Sequence, residues 1–135
     1  MIRIRGPDQT PRISDPIIRR LVERRLTEIC DGEVYDAEIH GEMILVESGD
    51  TLESLERETG CWIATNPFDE SRFPDPDFVP VCEYLEEHSH CFEMTFLFSD
   101  DGAGVNFFIP KQGIDADLLA LCARFAVRAP EPAQS

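Results

Sequence analysis

Residues 91–110 read CFEMTFLFSDDGAGVNFFIP, and the fold depends on how this stretch is partnered. Phe92, Met94, Phe96 and Phe98 alternate with Cys91, Glu93, Thr95, Leu97 and Ser99, the two-residue period of a strand with one strongly apolar face. Asp100, Asp101, Gly102, Ala103 and Gly104 then supply residues that tolerate positive φ, and Val105, Phe107 and Ile109 alternate with Asn106, Phe108 and Pro110 on the return. The prediction is a β-hairpin. Because Thr95 and Leu97 leave its second face only half polar, cover is expected on both faces.

Just upstream, the segment TNPFDESRFPDPDFVP interleaves four prolines with Phe68, Phe73 and Phe78. It reads as a long ordered loop pinned by its aromatics, which serve either as core or as an interaction surface. Cys61–Ala64 is a short apolar run expected to be a strand, and a short helix is expected within 79–87 around Val81, Tyr84 and Leu85. Cys82, His88 and His90, with the neighbouring Cys91, are the metal-like cluster of the chain. Their spacing lacks the CxxC or HxxxH pattern of a zinc site, so no metal or other cofactor is expected.

Further back, Glu33–Glu47 reads as a second hairpin. Val34–Ile39 and Met43–Glu47 are its strands, and His40 and Gly41 its turn. Glu33, Asp36, Glu38, Glu42 and Glu47 would then gather carboxylates on one small sheet, where like charges across strands cost stability unless arginines answer them. Asp50 or Thr51 is expected to cap a short helix through Leu52 and Leu55 that stops at Gly60. The stretch ILVESGDTLESLERETG, 44–60, resembles the first half of a LysM module, with Gly49, Asp50, Thr51 and Leu52 as its core. That resemblance implies a strand, a turn and a helix, and binding to N-acetylglucosamine polymers. The pattern then departs, since only Cys61–Thr65 separate Gly60 from Asn66 and Pro67 where such modules place a second helix. A shared strand-turn-helix solution is the reading adopted, with glycan binding a distant alternative.

Residues 1–13 form an N-terminal arm in which Gly6, Pro7 and Pro11 interrupt any long element, so it is either a short edge strand or disordered. Asp15 and Pro16 are a good cap and first-turn pair, and Ile17, Ile18, Leu21, Val22, Leu26, Ile29 and Cys30 recur at helical spacing. Arg19, Arg20, Arg24 and Arg25 lie beside or opposite that stripe. At the other end, Asp115 or Ala116 begins a helix carrying Leu118, Leu119, Leu121, Cys122 and Phe125, an apolar surface broad enough to be covered on two sides. Residues 129–135, with Pro130 and Pro132, are expected to be a disordered tail.

The fold class predicted is α+β: a mainly antiparallel sheet of two hairpins plus a short strand, packed by the N- and C-terminal helices on one shared face. Residues 14–128 form its single domain. At 135 residues and 42% hydrophobic composition the chain can bury an ordinary core unaided. The five cysteines are an odd number in apolar surroundings and read as reduced core thiols. No secretory leader or membrane-spanning run is apparent, so a cytoplasmic location is expected.

Twelve basic and 27 acidic residues give a net charge of -15. Residues 1–25 nevertheless hold seven arginines against three acidic residues, so an acidic body carries a basic end. Such a body repels nucleic acid and anionic membrane. No nucleophile elbow, phosphate loop or HExxH pattern singles out any of the carboxylates for catalysis. The expected function is therefore a non-catalytic binding or regulatory role through a protein partner, with the acidic sheet offered to a basic, nucleic-acid-binding surface as its specific form. Candidate contact residues are Glu33, Asp36, Glu38, Glu42, Glu47, Arg19, Arg20, Arg24, Arg25, Phe68, Phe73 and Phe78. A small carboxylate or Cys/His enzyme is the alternative, and self-association into a homodimer is a separate expectation.

Overall fold

A computed structural model describes residues 1–36, 40–59, 80–98 and 104–126. The elements in order are β1 (Ile2–Ile4), a 3-10 helix (Pro7–Arg12), α1 (Pro16–Cys30), β2 (Glu42–Leu45), α2 (Leu52–Thr59), β3 (Pro80–Glu87), β4 (Cys91–Phe98), β5 (Gly104–Pro110) and α3 (Ala116–Phe125). The strands form one five-stranded sheet in the order β1-β2-β5-β4-β3.

The predicted central hairpin is present as β4 and β5, antiparallel, with Met94 opposite Phe107 and Glu93 opposite Phe108. Its second face is covered, as the half-polar pattern required. Phe92, Met94, Val105, Phe107 and Ile109 pack on one side with Ile44, Val46, Leu55, Leu118, Leu121 and Cys122, under α2 and α3. Phe108, Met43, Leu45, Ile4 and Cys91 pack on the other with Ile18, Val22 and Leu26 of α1. The first and last helices therefore lie on opposite faces of the sheet, not on the one face expected. The cause is in β2 and β5: apolar residues run consecutively along them, so each face exposes hydrocarbon that a helix must cover.

Two further expectations are corrected. The second hairpin does not form, because β2 pairs antiparallel with β1 on one edge, Ile4 opposite Met43, and parallel with β5 on the other, Ile44 opposite Phe107. The sheet is thus mixed. Residues 33–36 carry no strand, since the segment folds back on itself. The Tyr35 ring stacks on His40 at 6.0 Å, the Tyr35 hydroxyl donates to the Gly41 carbonyl at 2.5 Å, and Asp36 N–H donates to His40 Nδ1 at 3.0 Å. The helix expected within 79–87 is instead β3, joined to β4 through His88–His90, with Glu86 opposite Glu93. Weak local helical preference yields there to the ladder offered by an adjacent strand.

The helix caps were legible. Asp15 accepts hydrogen bonds from the N–H groups of Ile17 and Ile18, Pro16 occupies the first turn, and Asp31 at φ 47 ends α1 in the left-handed region. Thr51 and Ser54 exchange side-chain-to-backbone hydrogen bonds at the start of α2, at 2.8 and 3.1 Å. Asp115 caps α3 by accepting from Leu118 N–H at 3.2 Å. This last helix buries one side only, since Ala116, Ala120, Ala123 and Arg124 are exposed. The expected strand at 61–64, the aromatic loop, the hairpin turn and the tail from 129 fall outside the described residues.

Candidate functional site

Along β4 the residues facing α1 include Glu93, whose side chain is 2% exposed. A carboxylate at such a position requires partners, because an unpaired buried charge is prohibitively costly. Arg25 of α1 supplies the main one, with Nε to Oε1 at 2.5 Å and Nη2 to Oε2 at 3.0 Å. The same guanidinium reaches Glu86 of β3 at 3.4 Å and Glu28 of its own helix at 2.9 Å. His88 Nε2 lies 3.1 Å from the second Glu93 oxygen. Beside this group, the Thr95 hydroxyl donates to the Asn106 side-chain oxygen at 2.5 Å across the strands. Among the described residues, the α1-covered face of the sheet is thus hydrocarbon toward β1 and β2, and polar around Glu93, Thr95 and Asn106.

Glu86, His88 and Glu93 offer ligand atoms that all lie within 4.8 Å of one another, which is the spacing a divalent cation would need. Arg25 already occupies both Glu93 oxygens, however, so the cluster is charge-satisfied inside the fold and a metal would have to displace that guanidinium. Of the metal-like residues in the sequence, His88 belongs to this cluster. His90 is exposed and its ring nitrogen contacts Ser89 Oγ at 2.8 Å. Cys91 is buried in the hydrocarbon under α1, and Cys82 sits on β3 opposite Phe96. Among the described residues, His88 is the one of these that joins a group with closely spaced ligand atoms. Glu86 and Glu93 complete that group, and the signal for Glu93 was a carboxylate inside a strand whose both faces needed cover.

The acidic residues singled out by sequence separate into two groups. Glu42 is held by Arg3 at 3.1 Å and approached by Arg5 at 3.8 Å, while Glu47 meets the Met1 amine at 3.1 Å. Glu33 and Asp36 are exposed, and Glu38 lies outside the described residues. On α1, Arg19 pairs with Glu23 at 3.7 Å, Arg25 enters the buried cluster, and Arg20 and Arg24 project to solvent beside Ile17 and Leu21.

Glu33 stands on the rim of a groove of ≈ 570 Å³ between the C-terminal half of α1 and the turn that follows. Pro7, Leu26, Cys30, Val34 and Tyr35 give it an apolar lining, and Glu23 and Glu33 give it acidic edges. Val34 is 90% exposed, an unusual position for a large aliphatic side chain in so acidic a surface. Burial raises the Tyr35 hydroxyl to about 12, with Glu42 adding to the effect. Burial and then Glu33 likewise raise the Cys30 thiol. Val34 and Tyr35 were read from the sequence as strand residues, and only the turn turns them into a groove wall.

No protein-family model, curated protein or solved structure matches this chain.

Proposed function

We propose that this chain is a small non-catalytic binding protein of regulatory type, which acts by engaging a protein partner through the groove between α1 and the Gly32–Tyr35 turn. The observation that supports this is Val34, 90% exposed on the wall of an apolar groove. The occupant is an amphipathic segment whose apolar side chains enter the groove while its lysines and arginines meet the carboxylates around it. Glu33 edges the groove, and Asp31 and Asp36 flank it in sequence, all three exposed. Net charge of -15 adds long-range attraction for such a partner and raises its association rate. A protein whose basic surface otherwise holds nucleic acid is the specific form of this partner. Glu42 and Glu47 add less to the field than their number suggests, because Arg3, Arg5 and the amine neutralise them.

The test is titration with an amphipathic helical peptide of leucine and lysine, read by amide NMR shifts, beside the same peptide with glutamate for lysine. Shifts confined to residues 26–36, lost in Val34→Ser and weakened by added salt, support the reading. Equal binding by the Val34→Ser protein sinks it.

A small enzyme is the second reading, favoured by the convergence of Glu86, His88 and Glu93. In that case Arg25 must leave Glu93 during the cycle, and cobalt added to the Arg25→Ala protein should develop a d–d spectrum that His88→Gln abolishes.

A further inference from the structure

At the β1 end of the sheet, away from the buried cluster on β4, Met1, Arg3, Arg12, Asp50, Ser54, Arg57 and Glu58 line a cleft of ≈ 470 Å³. The Met1 amine, Asp50 and Arg3 are answered by opposite charge. The Met1 amine lies 2.9 Å from Asp50 and 3.1 Å from Glu47. Arg3 Nη1 donates to both Glu42 oxygens, at 3.1 and 3.2 Å, and its Nη2 donates to the Glu58 carbonyl at 2.8 Å, which ties β1 to the end of α2. Arg12 and Arg57 are different. Both are exposed, both border the cleft, and neither has an ion pair among the described residues.

In a chain where 27 carboxylates face 12 basic side chains, nearly any guanidinium can find a carboxylate at little cost. Arg20 and Arg24 also lack an ion pair among the described residues, but they lie on the open face of α1; Arg12 and Arg57 come to one cleft, from the end of the 3-10 helix and from α2. Guanidinium is planar and forked, and a pair of them suits an anion with three oxygens and two charges better than a single carboxylate. The geometry points to an oxyanion site in which Arg12 and Arg57 together hold the phosphate group of a small molecule. The volume falls in the range of small-ligand sites, roughly 300–1,000 Å³. The acidic body decides against a larger anion: nucleic acid or an anionic bilayer would bring many charges against a surface of net -15, whereas a compact dianion brings two. Glu58, at the rim, can accept a hydrogen bond from a hydroxyl of the ligand and favours a phosphate ester of a polyol over phosphate itself. This site shares no residue with the apolar groove, so the two readings stand or fall separately.

Amide NMR titration of the full chain in Tris chloride at constant ionic strength, first with inorganic phosphate and then with glycerol 3-phosphate, tests it. Saturable shifts centred on Arg12, Ser54 and Arg57 are expected with both. Arg12→Gln and Arg57→Gln should each weaken binding by about tenfold, the scale of one charge-assisted contact. Arg24→Gln, which removes the same charge from a solvated face of α1, should leave it unchanged. Glu58→Gln should tighten inorganic phosphate by removing like charge. Shifts that do not saturate, or equal weakening by Arg24→Gln, would reduce the cleft to bulk charge and overturn the site. Tighter binding of an oligonucleotide than of glycerol 3-phosphate would overturn the assignment to a small ligand.

Discussion

Arg25 on α1 and Glu93 on β4 meet through paired contacts of 2.5 and 3.0 Å, with the carboxylate almost wholly enclosed. This is the one place among the described residues where a helix and the sheet are joined by charge through the hydrophobic layer. Removing the cation leaves Glu93 buried without its main partner, which costs about 3–5 kcal/mol in fully enclosed pairs. Arg25 is itself 22% exposed, and water can partly replace it, so Arg25→Met should cost about 2–4 kcal/mol. Combining it with Glu93→Leu should cost clearly less than the two single changes added together. Urea unfolding of the four proteins measures this coupling, and simple additivity would mean the pair is not a unit.

Phe107 and Phe108 are neighbours on β5, 0% and 1% exposed, and pack into different layers. Each truncation to Ala should therefore cost about 3–5 kcal/mol, as expected for a fully buried phenylalanine. In a sheet with one solvated face, one of the two would be nearly silent. Thermal or urea unfolding of both variants distinguishes these arrangements.

Burial raises the thiols of Cys91 and Cys122 from near 9 to about 12. An unfolded chain ionises these thiols first, so above pH 9 it binds fewer protons than the folded one and stability falls as pH rises toward 12. Below pH 9 the contribution is fully present. Unfolding free energy measured between pH 8 and 10.5 should decline, and Cys122→Ala should flatten that decline while lowering the plateau. Both thiols should also resist iodoacetamide at pH 8 until the protein is unfolded, because the thiolate is the reactive form.

Gly41 leads into β2 at φ 90, and a Cβ placed there would lie 2.8 Å from the Gly104 carbonyl oxygen. Side chains rarely adopt that backbone conformation, and the obstructing atom is backbone on the adjacent parallel strand. Gly41→Ala should therefore destabilise by more than about 1 kcal/mol. Hydrogen exchange should show the loss concentrated at the β2–β5 pairing. A neutral effect would mean the two strand ends can separate without cost.

The elements that were legible in the sequence are those specified by neighbours along the chain. Asp15, Thr51 and Asp115 announce their helices because a cap and its first turn are adjacent, and Cys91–Pro110 announces its hairpin because strand, turn and strand are contiguous. What could not be read depends on distant partners. Val34 and Tyr35 have strand propensity, but the ladder beside β2 is taken by Ile2–Ile4 and by β5, and nothing near residue 34 encodes that competition. The 80–87 segment is ambiguous by composition and becomes a strand through β4. Glu86 and Glu93 were two carboxylates among many until cross-strand register placed them opposite each other, and Arg25 stood among four arginines with no sign that it alone enters the interior.

The parallel seam between β2 and β5 also sets an order of assembly. β3, β4 and β5 are consecutive and can pair by closing short loops, whereas β2 reaches β5 only after α2, β3 and β4 have been gathered between them. Closing that loop costs entropy before any contact rewards it, which places this seam late on the folding path. During synthesis the first half emerges with Met43, Ile44, Leu45 and Val46 lacking their β5 neighbours, and with an open strand edge along them. For as long as translation of residues 46–104 takes, the nascent chain presents an apolar edge to chaperones or to other copies of itself.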